Sequence, residues 1–254
     1  MSQISNLKSN KVALIPARYA SSRFPGKLME KLGDKTVILT TYEATVNTGL
    51  FDSVFVVCDS DIIYDEITSN GGKAIKSNVW FECGTDRIAA AALTLPEAEI
   101  IVNVQGDEPF TNAASLRDLL NEFENDPELL VASLMHIIDE PEAITNPNNV
   151  KVVVDKYSNA LLFSRSVIPF HRNKNSNPVY RKHIGIYAFR RKMLLEFAQL
   201  PPTPLETAEQ LEGMRYLENG IKMKMVLAKE GAIGIDTPKD LAQAKQLLNA
   251  RFKN

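Results

Sequence analysis

The sequence predicts an α/β fold built on a mostly parallel sheet, with a partly antiparallel excursion. Three observations carry this. Aliphatic runs at 12–15, 53–58 and 99–104 end in polar loops, and helical segments follow these loops. From 129 onward, further apolar runs succeed one another across turn-rich links with no full-length helix between them. Strand, loop, helix, strand is the rhythm of right-handed parallel units, and runs of continuous aliphatics suit strands covered on both faces.

In chain order, Val12 to Ile15 reads as a buried strand stopped by Pro16, which lacks a ladder donor. The following loop carries Arg18, Arg23 and Lys27 around a Pro25-Gly26 turn. A helix is expected over 37–48, stopped by Gly49, then a strand over 53–58 and a helix around Ile62, Ile63 and Ile67, closed by Gly71-Gly72. The strand at 99–104 enters Gln105-Gly106-Asp107-Glu108-Pro109, and Leu116, Leu119, Leu120 and Phe123 repeat at helical spacing. Strands are expected at 130–135, 150–154, 160–163 and 184–189, with a polar, mobile stretch at 173–178. A single helix is expected over 203–219, ended by Gly220. A strand over 221–228 should place Met223, Met225 and Leu227 on one side. Thr237 is a ready N-cap for a last helix that has Pro238 at its first position and Asp240 near its positive end. No repeat or linker interrupts 1–254, so one domain is expected.

The 254 residues, ordinary in composition and with a formal charge of −2, supply a packed core and no general attraction to nucleic acid or membrane. Against that background a cluster of three cations after a strand is informative. The loop beyond a strand's carboxyl end is where open α/β sheets place ligands, and three cations suit a polyphosphate. A solvated basic loop is the plainer alternative. Cys58 and Cys83 lack metal or redox spacing, and no apolar run approaches the roughly 20 residues of a membrane span. A cytoplasmic protein is expected.

Neither G-x-x-x-x-G-K-[ST] nor G-x-G-x-x-G is present, which excludes P-loop and Rossmann dehydrogenase readings. Asp107 and Asp236 stand at strand ends without His or Cys partners, a pattern that suits a hard cation such as Mg²⁺ shared with phosphates. Each also reads simply as a turn or helix-start residue. His136, His171 and His183 show no ligand spacing.

The motifs A-R-Y-A-S-S-R-F-P-G-K (17–27), G-T-D-R (84–87), N-V-Q-G-D-E-P (103–109), N-P-N-N-V-K-V-V (146–153), F-S-R-S-V-I-P (163–169), R-K-H-I-G-I-Y (181–187), P-L-E-T-A-E-Q-L-E (204–212) and G-I-D-T-P-K-D-L (234–241) occur in order over nearly the whole chain. Together they resemble the 3-deoxy-manno-octulosonate (Kdo) cytidylyltransferase family. The resemblance implies a nucleotide-diphospho-sugar transferase-like three-layer sandwich. It also implies a homodimer, with the excursion at about 129–200 forming the dimer contact and part of the sugar pocket. The implied reaction joins CTP to a 2-keto sugar acid and releases pyrophosphate, for lipopolysaccharide biosynthesis.

By the same resemblance Arg18, Arg23 and Lys27 hold the triphosphate, and Ala17, Cys83 and Gly84 meet the cytosine. Arg87 and Gln105 join the nucleotide site, and Asp107 and Asp236 ligate Mg²⁺. Arg165, His183, Tyr187 and Glu209 face the sugar, and Arg18, Lys27, Asp107 and Asp236 carry the chemistry. The chain departs from the family pattern at Leu28, at 34–36, at Cys83, and at Gly213, where the family has glutamine in E-Q-L-R. Gly213 opens an alternative substrate, such as the 8-amino-8-deoxy analogue of Kdo. A sialic-type acid is a further alternative, and a non-catalytic nucleotide-binding regulator is the alternative of another class.

Overall fold

Side chains of β1 (Lys11–Ala17) alternate between two apolar cores: Ala13, Ile15 and Ala17 enter one, Val12 and Leu14 the other. In this computed structural model, which describes residues 10–20, 24–77, 79, 81, 83–229 and 234–251, that alternation sets the architecture. A short hairpin follows, β2 (Lys31–Leu32) and β3 (Lys35–Thr36), then α1 (Val37–Asn47), β4 (Ser53–Cys58), α2 (Asp61–Ser69) and β5 (Ala74–Lys76). Next come α3 (Gly84–Ala92), β6 (Ile100–Asn103), α4 (Ala113–Asn125), β7 (Val131–Ile138), α5 (Pro141–Thr145), β8 (Lys151–Val154) and β9 (Ala160–Ser164). The chain closes with β10 (Tyr180–Arg190), α6 (Arg191–Phe197), α7 (Pro204–Glu209), α8 (Gly213–Glu218), β11 (Lys224–Leu227) and α9 (Pro238–Arg251).

The main sheet runs β11-β7-β10-β6-β1-β4-β5, with β8 branching from β10 and β9 pairing with β8. Only β10 runs against its two neighbours along the main order; every other pairing there is parallel. Val37, Ile63, Leu116 and Leu241 bring α1, α2, α4 and α9 to one face. Ile88, Leu194 and Tyr216 bring α3, α6 and α8 to the other. This is the three-layer α/β arrangement expected. No helix among the described residues is long and apolar enough to cross a membrane.

Three local expectations change. Pro16 does not stop β1, which pairs with β4 through Ala17. Leu14 O accepts from Val104 N, so alternate residues, Pro16 included, turn their backbone polar groups toward the β6 side. Pairing on that side has already ended, and the missing donor is not needed. The expected helix over 203–219 is two helices, broken where Gln210 turns left-handed at φ 53°. In one straight helix, Glu206 and Arg215 would lie about 13.5 Å apart along the axis. The break lets Arg215 Nε and Nη2 reach the Glu206 carboxylate at 2.7 and 2.5 Å. At β11, Met223 and Met225 are buried but Leu227 is 47 % exposed on the sheet's edge strand. The polar stretch at 173–178 closes into a turn, with Ser176 N on Asn173 O at 3.0 Å.

Candidate active site

The parallel strands β1, β4 and β6 place their carboxyl ends along one edge, where Ala17 stands beside Cys58 and Leu14 beside Asn103. There a cavity of about 260 Å³ is bordered by Ala17, Arg18, Lys27, Cys83, Gly84, Arg87, Gln105, Asp107 and Asp236. Arg23 lies outside the described residues.

The loop after β1 is closed by Gly26, left-handed at φ 71°, whose N–H donates to Tyr19 O. That turn delivers Lys27 to the cavity, where its Nζ bonds Asp107 and, at 2.9 Å, Asp236. Burial by itself would lower the Lys27 pKa. The two carboxylates outweigh it and raise the pKa, so the side chain is held as a cation. Asp107 is set by Gly106, where an added Cβ would stand 3.0 Å from Pro16 O and 3.1 Å from Ile38 Cδ1. Ile235 N donates to Asp107 O at 2.9 Å, so a backbone bond brings Asp236 alongside. Thr237 caps α9 as expected, its Oγ1 accepting from Asp240 N at 3.3 Å, while the Asp240 carboxylate accepts from Thr237 N at 2.8 Å.

The Cys83-Gly84 segment is the start of α3, and a Cβ at Gly84 would sit 3.2 Å from the Pro16 ring. Burial, and then Glu212, push the Cys83 thiol up, which keeps it protonated and unsuited to nucleophilic work. Arg87 is buried, with Nη2 on Asp59 Oδ2 at 3.1 Å and its guanidinium over the Phe81 ring. Its Nη1 is buried with no hydrogen-bond partner among the described residues. Asp59 Oδ1 accepts from Tyr19 N at 3.1 Å, tying the cationic loop to α3. Sequence reasoning missed Asp59 and Phe81. The only signal for Asp59 was its place just past a strand.

A second cavity, of about 430 Å³, shares Gln105, Asp107 and Asp236 with the first and adds Glu108, Asn146, Asn148, Asn149, Lys182 and His183. Gln105 stands at the junction, its Nε2 on Gly185 O at 3.0 Å. Glu108, packed beside Asp107, has its pKa pushed up to about 8 by burial first and then by the Asp107 charge. His183 Nε2 meets Ser133 Oγ at 2.9 Å, and its ring packs on Phe163 and Tyr187. Burial, and then the Lys182 charge, bring its pKa down to about 3, so it is neutral. Tyr187 is buried behind His183. Arg165 and Glu209 border neither cavity and hold each other: Arg165 N donates to Glu209 Oε2 at 2.9 Å, and Arg165 Nε to Glu209 O at 2.8 Å. At Gly213, a Cβ would meet the Phe163 ring at 3.2 Å and the Tyr187 hydroxyl at 3.5 Å.

The described residues hold no group of three or more His, Cys, Asp or Glu arranged for a metal. Asp107 and Asp236 nevertheless fit Mg²⁺, which takes one or two carboxylates and completes its shell with water and substrate phosphates. Both carboxylates already converge on one cationic nitrogen.

Comparison with known proteins agrees with this arrangement. A family model described as "Cytidylyltransferase" matches residues 12–225. A 3-deoxy-manno-octulosonate cytidylyltransferase of Flavobacterium johnsoniae is 58 % identical over 93 % of this chain and 98 % of its own. One from Bacteroides thetaiotaomicron is 42 % identical, over 94 % and 98 %. A solved CMP:2-keto-3-deoxy-manno-octonic acid synthetase complexed with CTP superposes at a TM-score of 0.90 with 38 % identity, covering 96 % of this chain and 100 % of that one. The fold extends to a 4-diphosphocytidyl-2C-methyl-D-erythritol synthase from Anaerococcus prevotii at TM-score 0.62 and 17 % identity, covering 95 % and 99 %.

Proposed function

This chain belongs to the cytidylyltransferase family, among the 3-deoxy-manno-octulosonate cytidylyltransferases, and we propose that it transfers CMP from CTP to Kdo. The carrying observation is Lys27, fixed between Asp107 and Asp236 where the two cavities meet. CTP occupies the first cavity and the sugar acid the second, so that the α-phosphorus lies at their junction. The anomeric oxygen of Kdo attacks that phosphorus and gives its hydroxyl proton to solvent water, and the bond from the α-phosphorus to the oxygen bridging to the β-phosphate breaks to release pyrophosphate. The product is the activated sugar for lipopolysaccharide biosynthesis.

Arg18, at the cavity's exposed lip, holds the triphosphate with Lys27 and Arg23. Lys27 moves part of its charge from the two carboxylates to the phosphate oxygens as charge builds there. Ala17, Cys83, Gly84 and Arg87, all on the border of the first cavity, meet the cytosine. Gln105 orients the nucleotide at the junction. Asp107 and Asp236 would hold Mg²⁺, which when bound neutralises phosphate charge and favours the ionised attacking hydroxyl. His183 meets the sugar as a neutral hydrogen-bonding group. Tyr187, Arg165 and Glu209 brace the wall behind it.

We further propose a cytoplasmic homodimer joined through the branch strands β8 and β9 and the segment after them. Leu161, Phe170 and Val179 are 61 %, 84 % and 45 % exposed there, apolar surface for a second copy to cover. The test is pyrophosphate release with CTP and Mg²⁺, comparing Kdo, its 8-amino-8-deoxy analogue and a sialic acid. Release with Kdo, abolished by EDTA, is expected. Release only with another acid would move the substrate, and none with any acid would leave a nucleotide binder.

A further inference from the structure

The second cavity presents an electrostatic problem to the molecule it is proposed to bind. Asp107, Glu108, Asp236 and Asp240 all border it, and a 2-keto sugar acid brings a carboxylate of its own. Asp107 and Asp236 share Lys27, and Asp240 is engaged by the start of α9. His183 is neutral there. Arg165 is unsuited: its Nε and Nη1 donate to the carbonyls of Glu209 and Pro147 at 2.8 and 3.1 Å, outside the cavity.

Lys182 differs from all of these. Among the described residues it is the one lysine or arginine bordering this cavity, and its ammonium makes no hydrogen bond or ion pair with any of them. It lies near enough to Glu108 to favour that carboxylate's charged form. Its backbone is fixed, because β10 sets Lys182 opposite His136 of β7 on one side and Lys151 of β8 on the other. A half-buried cation on a doubly paired strand, with no hydrogen bond or ion pair among the described residues in an acidic cavity, is placed to receive an anion.

The geometry points to Lys182 as the receptor for the substrate's C1 carboxylate, an inference that rests on the activity proposed above. It makes Lys182 the residue that distinguishes a sugar acid from a neutral ketose. The test compares Kdo with its uncharged C1 carboxamide in pyrophosphate release, using the wild type, Lys182→Met and Lys182→Arg. A charge-assisted hydrogen bond predicts that Lys182→Met raises KM for Kdo about 10- to 100-fold. KM for CTP at saturating sugar should stay within about twofold, because Lys182 does not border the nucleotide cavity.

The preference for carboxylate over carboxamide should collapse in Lys182→Met and survive in Lys182→Arg. An active wild type whose Lys182→Met variant keeps that preference would overturn the inference alone. Equal rises in KM for CTP and Kdo would also overturn it, since a general loss of structure moves both. A wild type inactive with Kdo would overturn the proposed activity and this inference together.

Discussion

Lys27 donates to two carboxylates that would otherwise repel one another across the junction of the cavities. Lys27→Met leaves that repulsion in place and removes a donor from the transferring phosphate. Turnover should fall by about 10²- to 10³-fold, read as kcat for pyrophosphate release; a fall of less than tenfold would show that Arg18 and the metal suffice. His183 supplies a second prediction, in stability. Its folded pKa of about 3 lies below the ordinary 6.5, so the unfolded chain binds the extra proton as pH falls through that window. Stability from this group is therefore complete above pH 6.5 and declines toward pH 3, by about 1.4 kcal/mol per pH unit once well below 6.5. Urea unfolding at pH 7.5 and 5.0 should show a smaller acid loss in His183→Gln than in wild type. Comparing the two proteins also cancels the opposite trend from Glu108, whose raised pKa makes its contribution fall as pH rises between about 4.5 and 8.

Among elements, the loop before β8 depends on Lys151, a fully buried lysine whose Nζ donates to Asn146 O at 3.0 Å and Asn149 O at 2.6 Å. Burial lowers its pKa, and its bonds to loop carbonyls fasten a segment that borders the second cavity. Lys151→Met strands those carbonyls and should cost about 1–3 kcal/mol in unfolding free energy, together with a raised KM for the sugar acid. An unchanged KM would mean the loop holds its shape without the tether. At the start of α8, a side chain at Gly213 would press its Cβ on the Phe163 ring at 3.2 Å and touch the Tyr187 hydroxyl at 3.5 Å. Gly213→Gln should destabilise the chain by about 1–3 kcal/mol through overpacking. If it instead shifts preference between Kdo and its 8-amino analogue at unchanged stability, this position selects the substrate.

For the molecule as a whole, the two-sided sheet leaves the site's strand ends at one edge, while β8 and β9 branch away with Leu161 and Leu162 of β9 turned outward. Replacing Leu161 and Phe170 by Asp should convert a dimer to a monomer in analytical ultracentrifugation. Neither side chain is buried, so the fold should survive; a wild type that sediments as a monomer would refute the proposed assembly.

Much of this was legible in order along the chain. Strand 53–58, the helix at Leu116 and the capped start of α9 are written in local periodicity and turn chemistry, which act between near neighbours. The sequence by itself determined β1, β4 and β6 to β11, the helices α1, α2, α4 and α9, and the motifs that carry the family resemblance, but not the short β2, β3 and β5 or the helices α3, α5 and α6. Only the tertiary structure decided that Lys27 spans carboxylates 80 and 209 residues away, that Arg165 is tied to backbone while Lys182 is left facing the cavity, and that one expected helix breaks to close the Glu206–Arg215 pair. Those outcomes depend on which distant groups share a buried space and on which of them water can no longer satisfy. Such a balance is struck only after the sheet has assembled, and local pattern carries no record of it.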